Sequence, residues 1–151
     1  MEFKQVAEKR PDLDGKRLKE PGRDDVWLIF AGERHKILGD DTASRLFVDP
    51  GNVETMNDIL SIALGVPITH NAVIVQSDLN GAMFLITGSP AAKVAKYYIT
   101  NWESFVDFGF NQDAVLPVPS IAVSGLSTGY ELQSAANRRS QAEEFKNKAK
   151  P

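Results

Sequence analysis

The sequence contains no cysteine and no long apolar run, and both absences limit what the chain can do. Without cysteine there is no disulfide framework, no thiolate nucleophile and no thiolate metal ligand. The apolar runs are far shorter than the roughly 18 residues that a membrane-spanning helix needs, so we expect no transmembrane segment. The first thirty residues also lack the continuous apolar stretch of a signal peptide.

Basic residues are scarce in the middle of the chain. Residues 25–130 carry five Lys or Arg and eleven Asp or Glu, whereas residues 1–24 and 131–151 each carry a small excess of basic residues. Binding to a phosphate backbone depends on clustered Lys and Arg, so we expect no nucleic-acid partner. The basic ends fit either a solvated surface or contact with an acidic partner.

The remaining composition is that of an ordinary globular chain. Of the 151 residues, 42% are hydrophobic and 25% are charged, which are values close to globular averages. This length holds either one domain or two half-domains that share a core.

Two stretches have the pattern of a β-hairpin. In the first, the apolar residues 26–30 precede a turn at Ala31-Gly32 and a returning strand that ends at Ile37. In the second, residues 72–76 and 83–87 flank an Asn-Gly turn signal, and residues 96–99 supply a third strand.

Helices are predicted between these strands and at the end of the chain. Asp40-Asp41 and Thr42 are suited to capping a short helix that ends near Phe47, and Asn101 or Thr100 to capping one that contains Trp102. Apolar spacing also predicts a helix over Val53–Leu64, with Gly65 just beyond its end. Residues 131–150 are strong helix formers with a thin apolar stripe, which predicts a helix that is marginal alone.

The two halves of the chain resemble each other. We align residues 26–30 with 82–86 and residues 34–37 with 96–99, and we interpret Pro90–Ala95 as an insertion in the second hairpin. The predicted fold is α+β, with two pseudo-repeats of a β-hairpin plus short helices that share one core, and a C-terminal helical tail. The predicted segments are an N-terminal arm 1–13, repeats 14–69 and 70–130, and a charged tail 131–151.

This pattern of an apolar strand, a Gly turn, a basic triplet, an Ile, a capped helix, then Gly-Phe-Asn and a Val-Pro strand resembles a loosely defined tandem repeat of bacterial surface proteins and phage proteins. The nearest stretch is Asp107–Pro119, followed by Trp27–Ile37. The resemblance implies a cell-surface, extracellular or virion context and no established catalytic role. The chain departs from the repeat at Leu38, where a Pro is usual, and at the insertion.

Residue patterns for catalysis or metal binding are weak. His35 and His70 have no carboxylate three or four residues further on, so they do not form a metal-ligand pattern. The serines lack the context of a nucleophile elbow, and no glycine loop for phosphate is present. We therefore predict that the protein is not an enzyme and uses no cofactor or metal.

Aromatic and basic residues near the hairpins are the candidate binding groups. Adjacent strand positions point to opposite faces, so we expect either Tyr97 or Tyr98 to be exposed. An exposed aromatic ring stacks on a sugar or anchors a protein partner. The candidate binding residues are Trp27, Arg34, His35, Lys36, Tyr97, Tyr98 and Trp102.

Two functions fit these features. The first is a structural or protein-interaction module of a surface or virion-type assembly, in which the repeat body docks on a protein partner or a second copy and the charged termini contact neighbouring subunits. The alternative is a carbohydrate- or cell-wall-binding module that holds a glycan on exposed aromatic residues.

Overall fold

The computed structural model describes residues 7–39, 41–88 and 93–149, with side chains through Lys146. The described residues exclude Asp40, which is predicted to cap a helix, and the first six residues of the predicted arm. They also exclude residues 90–92 of the predicted insertion and residues 150–151. The described chain forms a four-stranded and a five-stranded sheet, with short helices in the connections between strands. The predicted α+β class is therefore confirmed.

The first sheet contains the first predicted hairpin. β2 (Trp27–Phe30) pairs antiparallel with β3 (Glu33–Lys36) and with β1 (Arg17–Lys19). The turn residues Ala31-Gly32 both have positive φ, 54° and 73°, which is the backbone of a two-residue type I′ turn. β4 (Glu54–Thr55) then adds to the free side of β1 in parallel.

The second sheet repeats this arrangement and adds one strand. β5 (Val73–Ser77), β6 (Met83–Thr87) and β7 (Ala95–Ile99) are consecutive antiparallel neighbours. β8 (Val115–Val118) lies parallel to β5, as β4 lies parallel to β1. β9 (Ser127–Thr128) extends the sheet beyond β7.

The third strands of the two halves have equivalent neighbours. The Gly65 N–H donates to the Arg34 carbonyl at 2.9 Å, and the Gly129 N–H donates to the Lys96 carbonyl at 2.8 Å. The next bonds of the two segments, both 2.8 Å long, run from the Ile68 N–H to the Lys36 carbonyl and from the Leu132 N–H to the Tyr98 carbonyl. In each half, therefore, an equivalent extended segment lies along the third strand and pairs with it in the same way.

The predicted alignment of the halves agrees with these hydrogen bonds in the third strand of each half, β3 and β7. In the second strand of each half, β2 and β6, the alignment is wrong by one residue. Leu28 pairs with His35 and Leu85 pairs with Tyr97, so Leu28 corresponds to Leu85 and not to Phe84. A shift of one residue moves every side chain to the opposite face of a sheet. All four residues of β2 are buried, so the sequence shows no alternation that would set the register.

Two short helices follow the third strands. α1 (Thr42–Leu46) follows β3, and α2 (Trp102–Asp107) follows β7. The Asn101 side chain accepts a hydrogen bond from the Ser104 N–H at 2.9 Å, which confirms the predicted cap of α2. Asp41 precedes α1 without such a bond from its side chain, so its predicted capping role is wrong.

The helix predicted over Val53–Leu64 is wrong. This segment contains β4 and then one 3₁₀ turn, Ile59–Ser61. Ile59 and Ile62 are both buried, because residues three apart lie on one side of a 3₁₀ turn as well as of an α-helix. The apolar spacing was therefore real, but it belonged to a shorter element. In the second half the corresponding position holds α3 (Ile121–Ser124).

One hydrophobic core joins the two halves. Leu28 and Phe30 point from the first sheet toward Leu85 and Tyr97 of the second, and all four are buried. The opposite face of the first sheet has a smaller cluster of its own, formed by Leu18, Trp27, Ile29, Ile59 and Ile62. The shared core confirms that the halves are packed as one body.

An antiparallel bridge between Phe47 and Phe110 also connects the halves. The Val48 N–H donates to the Gly109 carbonyl at 2.9 Å, and the Asn111 N–H donates to the Leu46 carbonyl at 2.8 Å. These two bonds are reciprocal, because the segments after α1 and α2 are equivalent and run in opposite directions. The Phe47 and Phe110 rings stack with their centroids 5.5 Å apart.

The C-terminal helix, α4 (Ala135–Ala149), is attached near its start to the described part of the body. Leu132 and Ala135 of the predicted stripe are buried, whereas Ala136, Ala142 and Phe145 are exposed. The Ala135 N–H donates to the Asp14 carbonyl at 3.1 Å, and the Arg138 guanidinium contacts the Asp14 carboxylate at 2.9 Å. The predicted helix is present, and its second half extends without packing on the described body.

Candidate binding surfaces

Trp27 and Arg34 interact with each other on the outer face of the first sheet. Trp27 is buried in the smaller cluster, and the Arg34 guanidinium lies 4.5 Å from the centroid of the Trp27 ring. Arg34 Nε also donates to the Ile62 carbonyl at 2.9 Å. This cation–π contact and hydrogen bond give both residues a structural role, and their predicted binding role stays a prediction.

His35 lies inside the protein. Its Nδ1 is 2.7 Å from the Val66 carbonyl oxygen, its Nε2 is 3.0 Å from the Phe30 carbonyl oxygen, and its ring stacks on Phe30. Burial lowers the pKa of His35 to about 4 and outweighs the two carbonyls, which act in the opposite direction. A neutral imidazole has one N–H, so it satisfies one of the two carbonyls, and the shorter distance favours Val66.

Tyr97 occupies the position in the second half that His35 occupies in the first. Each ring lies against a glycine of the following extended segment, Gly65 for His35 and Gly129 for Tyr97, and a Cβ at either glycine would overlap the ring. Gly65 therefore makes room for a core ring, and its predicted role at the end of a helix is wrong. Burial, and next to it the charge of Glu33, raises the pKa of Tyr97.

His35 and Tyr97 meet at an open cleft between the halves, which we call the inter-repeat cleft. Its volume is about 400 Å³, and its lining is mostly apolar. Besides the two rings, the lining includes Glu33, Val66, Thr128 and Tyr130. The structure thus brings together two of the predicted binding residues, one from each half.

Lys36 and Tyr98 lie on the faces turned away from the shared core. Lys36 Nζ is 3.4 Å from an Asp25 carboxylate oxygen, in an exposed pair of a kind that contributes little stability. Tyr98 is half-buried against Phe84, with ring centroids 5.7 Å apart. Tyr97 and Tyr98 do point to opposite faces, and Tyr98 is the more exposed of the two.

Trp102 is the most exposed of the seven predicted binding residues. Its side chain is 49% accessible to solvent, although one face of the indole stacks on Phe105 at 4.8 Å. It borders a groove of about 440 Å³ together with exposed Val48 and Val106, and Asp113 stands at the edge. We call this surface the Trp102 groove.

Sequence reasoning did not identify several residues of these surfaces. Glu33 and Tyr130 were not singled out because they are far apart in the sequence, and only the packing of the two halves brings them to one cleft. The matching glycines Gly65 and Gly129 carried a usable signal, but a loose alignment of residues 63–68 with 125–129 places Gly65 against Ser127, two residues before Gly129. Phe145 belongs to the thin apolar stripe of the predicted tail, which was expected to bury little area, and it is 75% exposed.

The part of the chain that the structure describes shows neither a metal site nor a membrane-spanning helix. No group of three or more His, Asp or Glu side chains in that part is arranged to hold a metal ion. Among the same residues, no helix combines the length and the apolar composition needed to cross a bilayer.

Comparison of the chain with protein-family models, with curated protein sequences and with solved structures gave no match.

Proposed function

We propose that this chain is a non-enzymatic interaction module of a surface or virion-type assembly, in which the C-terminal helix of one copy docks in the Trp102 groove of another. The observation that carries the proposal is the exposure of α4. Every side chain from Arg139 to Lys146 is exposed, and Phe145 is 75% accessible. A helix of this length is marginal without packing, so a partner surface would stabilise it.

The charges of the two surfaces are complementary. Residues 97–137 contain no Lys or Arg and four carboxylates, of which Glu103 and Asp107 lie on α2 and Asp113 borders the groove. From residue 138 onward the chain has five basic and two acidic residues. A basic helix that presents one aromatic side chain therefore suits an apolar groove that has Asp113 at its edge and lies in a part of the chain without Lys or Arg.

Docking of this kind is head-to-tail, because the helix and the groove are different surfaces of the same chain. Each copy then offers one free helix and one free groove, so the contact propagates unless the geometry closes a ring. Such an arrangement suits a protein that forms part of a layer or a virion.

Sedimentation velocity over a concentration series tests the proposal. We expect the wild type to associate as the concentration rises, and both Phe145→Ala and Trp102→Ala to prevent this. Asp113→Lys reverses a charge at the rim without removing an apolar contact, so it should weaken association even if Trp102→Ala perturbs the fold. Leu79→Ala is the matched control, since Leu79 is 78% exposed on the turn between β5 and β6, away from both surfaces.

A mixture of two variants gives the sharper result. Phe145→Ala keeps a groove and Trp102→Ala keeps a helix, so the mixture should form heterodimers while each variant alone stays monomeric. A wild type that remains monomeric at all concentrations would contradict the proposal. Association that is lost in Phe145→Ala but kept in Trp102→Ala would also contradict it, because the helices would then pair with each other.

A further inference from the structure

The inter-repeat cleft has polar groups whose bonding capacity the protein does not use. In the described part of the chain, no group hydrogen-bonds to the Tyr97 hydroxyl, and no basic side chain forms an ion pair with Glu33. Glu33, Tyr97 and Thr128 all line the cleft. Neither the Tyr97 hydroxyl nor the Glu33 carboxylate is shut off from solvent, so both are available to a ligand that has hydroxyls to share.

The walls of the cleft are apolar and aromatic. Val66 and the Tyr97 ring form the interior, and Tyr130 stands at the opening with 55% of its surface exposed. A flat exposed ring beside a carboxylate and a phenol suits a molecule with an apolar face and polar edges. A pyranose ring has this shape, with C–H groups on its face and hydroxyls around its rim.

The charges around the opening favour a neutral ligand. Lys9 Nζ already lies 5.0 Å from the centroid of the Tyr130 ring, so a second cation on that ring would meet the Lys9 ammonium. An anion would meet Glu33. The Lys9 ammonium and the Glu33 carboxylate thus place opposite charges at the two sides of the cleft. An uncharged polyol can accept a hydrogen bond from Lys9 and donate one to Glu33.

We propose that the inter-repeat cleft binds a neutral saccharide, with a sugar ring stacked on Tyr130, hydroxyls donating to Glu33 and a further hydroxyl bonded to Tyr97. The volume of about 400 Å³ lies in the range of small-molecule sites. Because the cleft is lined by both halves, the site exists only when the two are packed together. It does not depend on association through α4, which uses other surfaces.

An array of neutral oligosaccharides, followed by calorimetry with the ligands that bind, tests this site. The array should include cellotriose, mannotriose and tri-N-acetylglucosamine. We expect at least one neutral glycan to bind, and we expect Tyr130→Ala and Glu33→Gln each to weaken its binding about tenfold or more. Tyr97→Phe should weaken binding by removing one hydroxyl, whereas the matched control Tyr98→Phe should leave it unchanged.

Three results would overturn the proposal. The first is an array without binding for wild-type protein whose fold is verified by circular dichroism. The second is glycan binding that neither Tyr130→Ala nor Glu33→Gln changes. The third is binding that Trp102→Ala abolishes while Tyr130→Ala retains it, which would place the sugar in the Trp102 groove. None of these results bears on the self-association of the protein, which sedimentation measures separately.

Discussion

At the scale of single residues, the basic triplet Arg34-His35-Lys36 is divided between the two faces of one strand. Arg34 and Lys36 lie on the outer face of β3, while His35 points into the shared core and stacks on Phe30. Strand alternation requires this split. The sequence predicted the strand, but it could not show which face of β3 would be covered by the second half.

The burial of His35 makes stability depend on pH. Its pKa is lowered to about 4, below the value near 6.5 of an unfolded histidine, so the unfolded state binds more protons between these values. Stability should therefore fall as the pH decreases from about 6.5 to about 4, by as much as about 3 kcal/mol. Urea denaturation near pH 7.5 and near pH 4.5 measures this loss.

Two substitutions separate the contribution of His35 from that of the carboxylates. His35→Gln should reduce the loss of stability between the two pH values by about 2 to 3 kcal/mol. His70→Gln, at an exposed histidine, should retain the full loss. An unchanged pH dependence in His35→Gln would show that the buried imidazole is not its source.

At the scale of elements, Asp14 connects three segments that are distant in the sequence. The buried carboxylate accepts a hydrogen bond from the Gly32 N–H of the first hairpin turn at 2.9 Å and pairs with Arg138 of α4. Its carbonyl also accepts from the Ala135 N–H. Burial raises the pKa of Asp14, although the Gly32 N–H and Arg138 favour the charged form.

Removing the partner of this carboxylate should release α4. We expect Arg138→Gln to destabilise the protein by about 1 to 3 kcal/mol, because it leaves a buried carboxylate with one fewer donor, and the exposed half of Arg138 limits the effect. Arg139→Gln is the matched control, since Arg139 is exposed and adjacent. Hydrogen exchange of the first turn of α4 should accelerate in Arg138→Gln alone. Equal exchange rates in the two variants would contradict this role.

The elements that the sequence predicted well are those with strong local signals. The Gly turn of the first hairpin, the Asn-Gly turn of the second and the Asn101 cap each depend on the chemistry of a few neighbouring residues. The Val53–Leu64 segment had no such signal, and apolar spacing alone did not distinguish an α-helix from a 3₁₀ turn with extended flanks. The inter-repeat cleft could not be predicted, because residues more than sixty positions apart, such as His35 and Tyr97, line it together.

At the scale of the whole molecule, the shared core should make the two halves unfold together. Leu28 and Phe30 of the first half pack in the same cluster as Leu85 and Tyr97 of the second, so neither half retains its core when the other unfolds.

The two tryptophans report on the halves separately. Trp27 lies in the first half and Trp102 in the second, so Trp27→Phe and Trp102→Phe each leave one fluorescent reporter. Unfolding of each variant in urea is followed by tryptophan fluorescence and by circular dichroism. We expect the two transitions of each variant to occur at the same urea concentration. Fluorescence that changes at a different urea concentration from the dichroism, in either variant, would mean that the halves unfold independently.

The Phe47–Phe110 bridge pairs the segment after α1 with the equivalent segment after α2, which is the geometry of a symmetric dimer interface placed inside one chain. In a dimer of separate half-length chains, such an interface would have to overcome the entropy of bringing two molecules together. Here the short connection between Ile68 and Val73 keeps the two halves at a high effective concentration, on the order of millimolar or above. A contact too weak to hold two free molecules together is therefore sufficient to close this core.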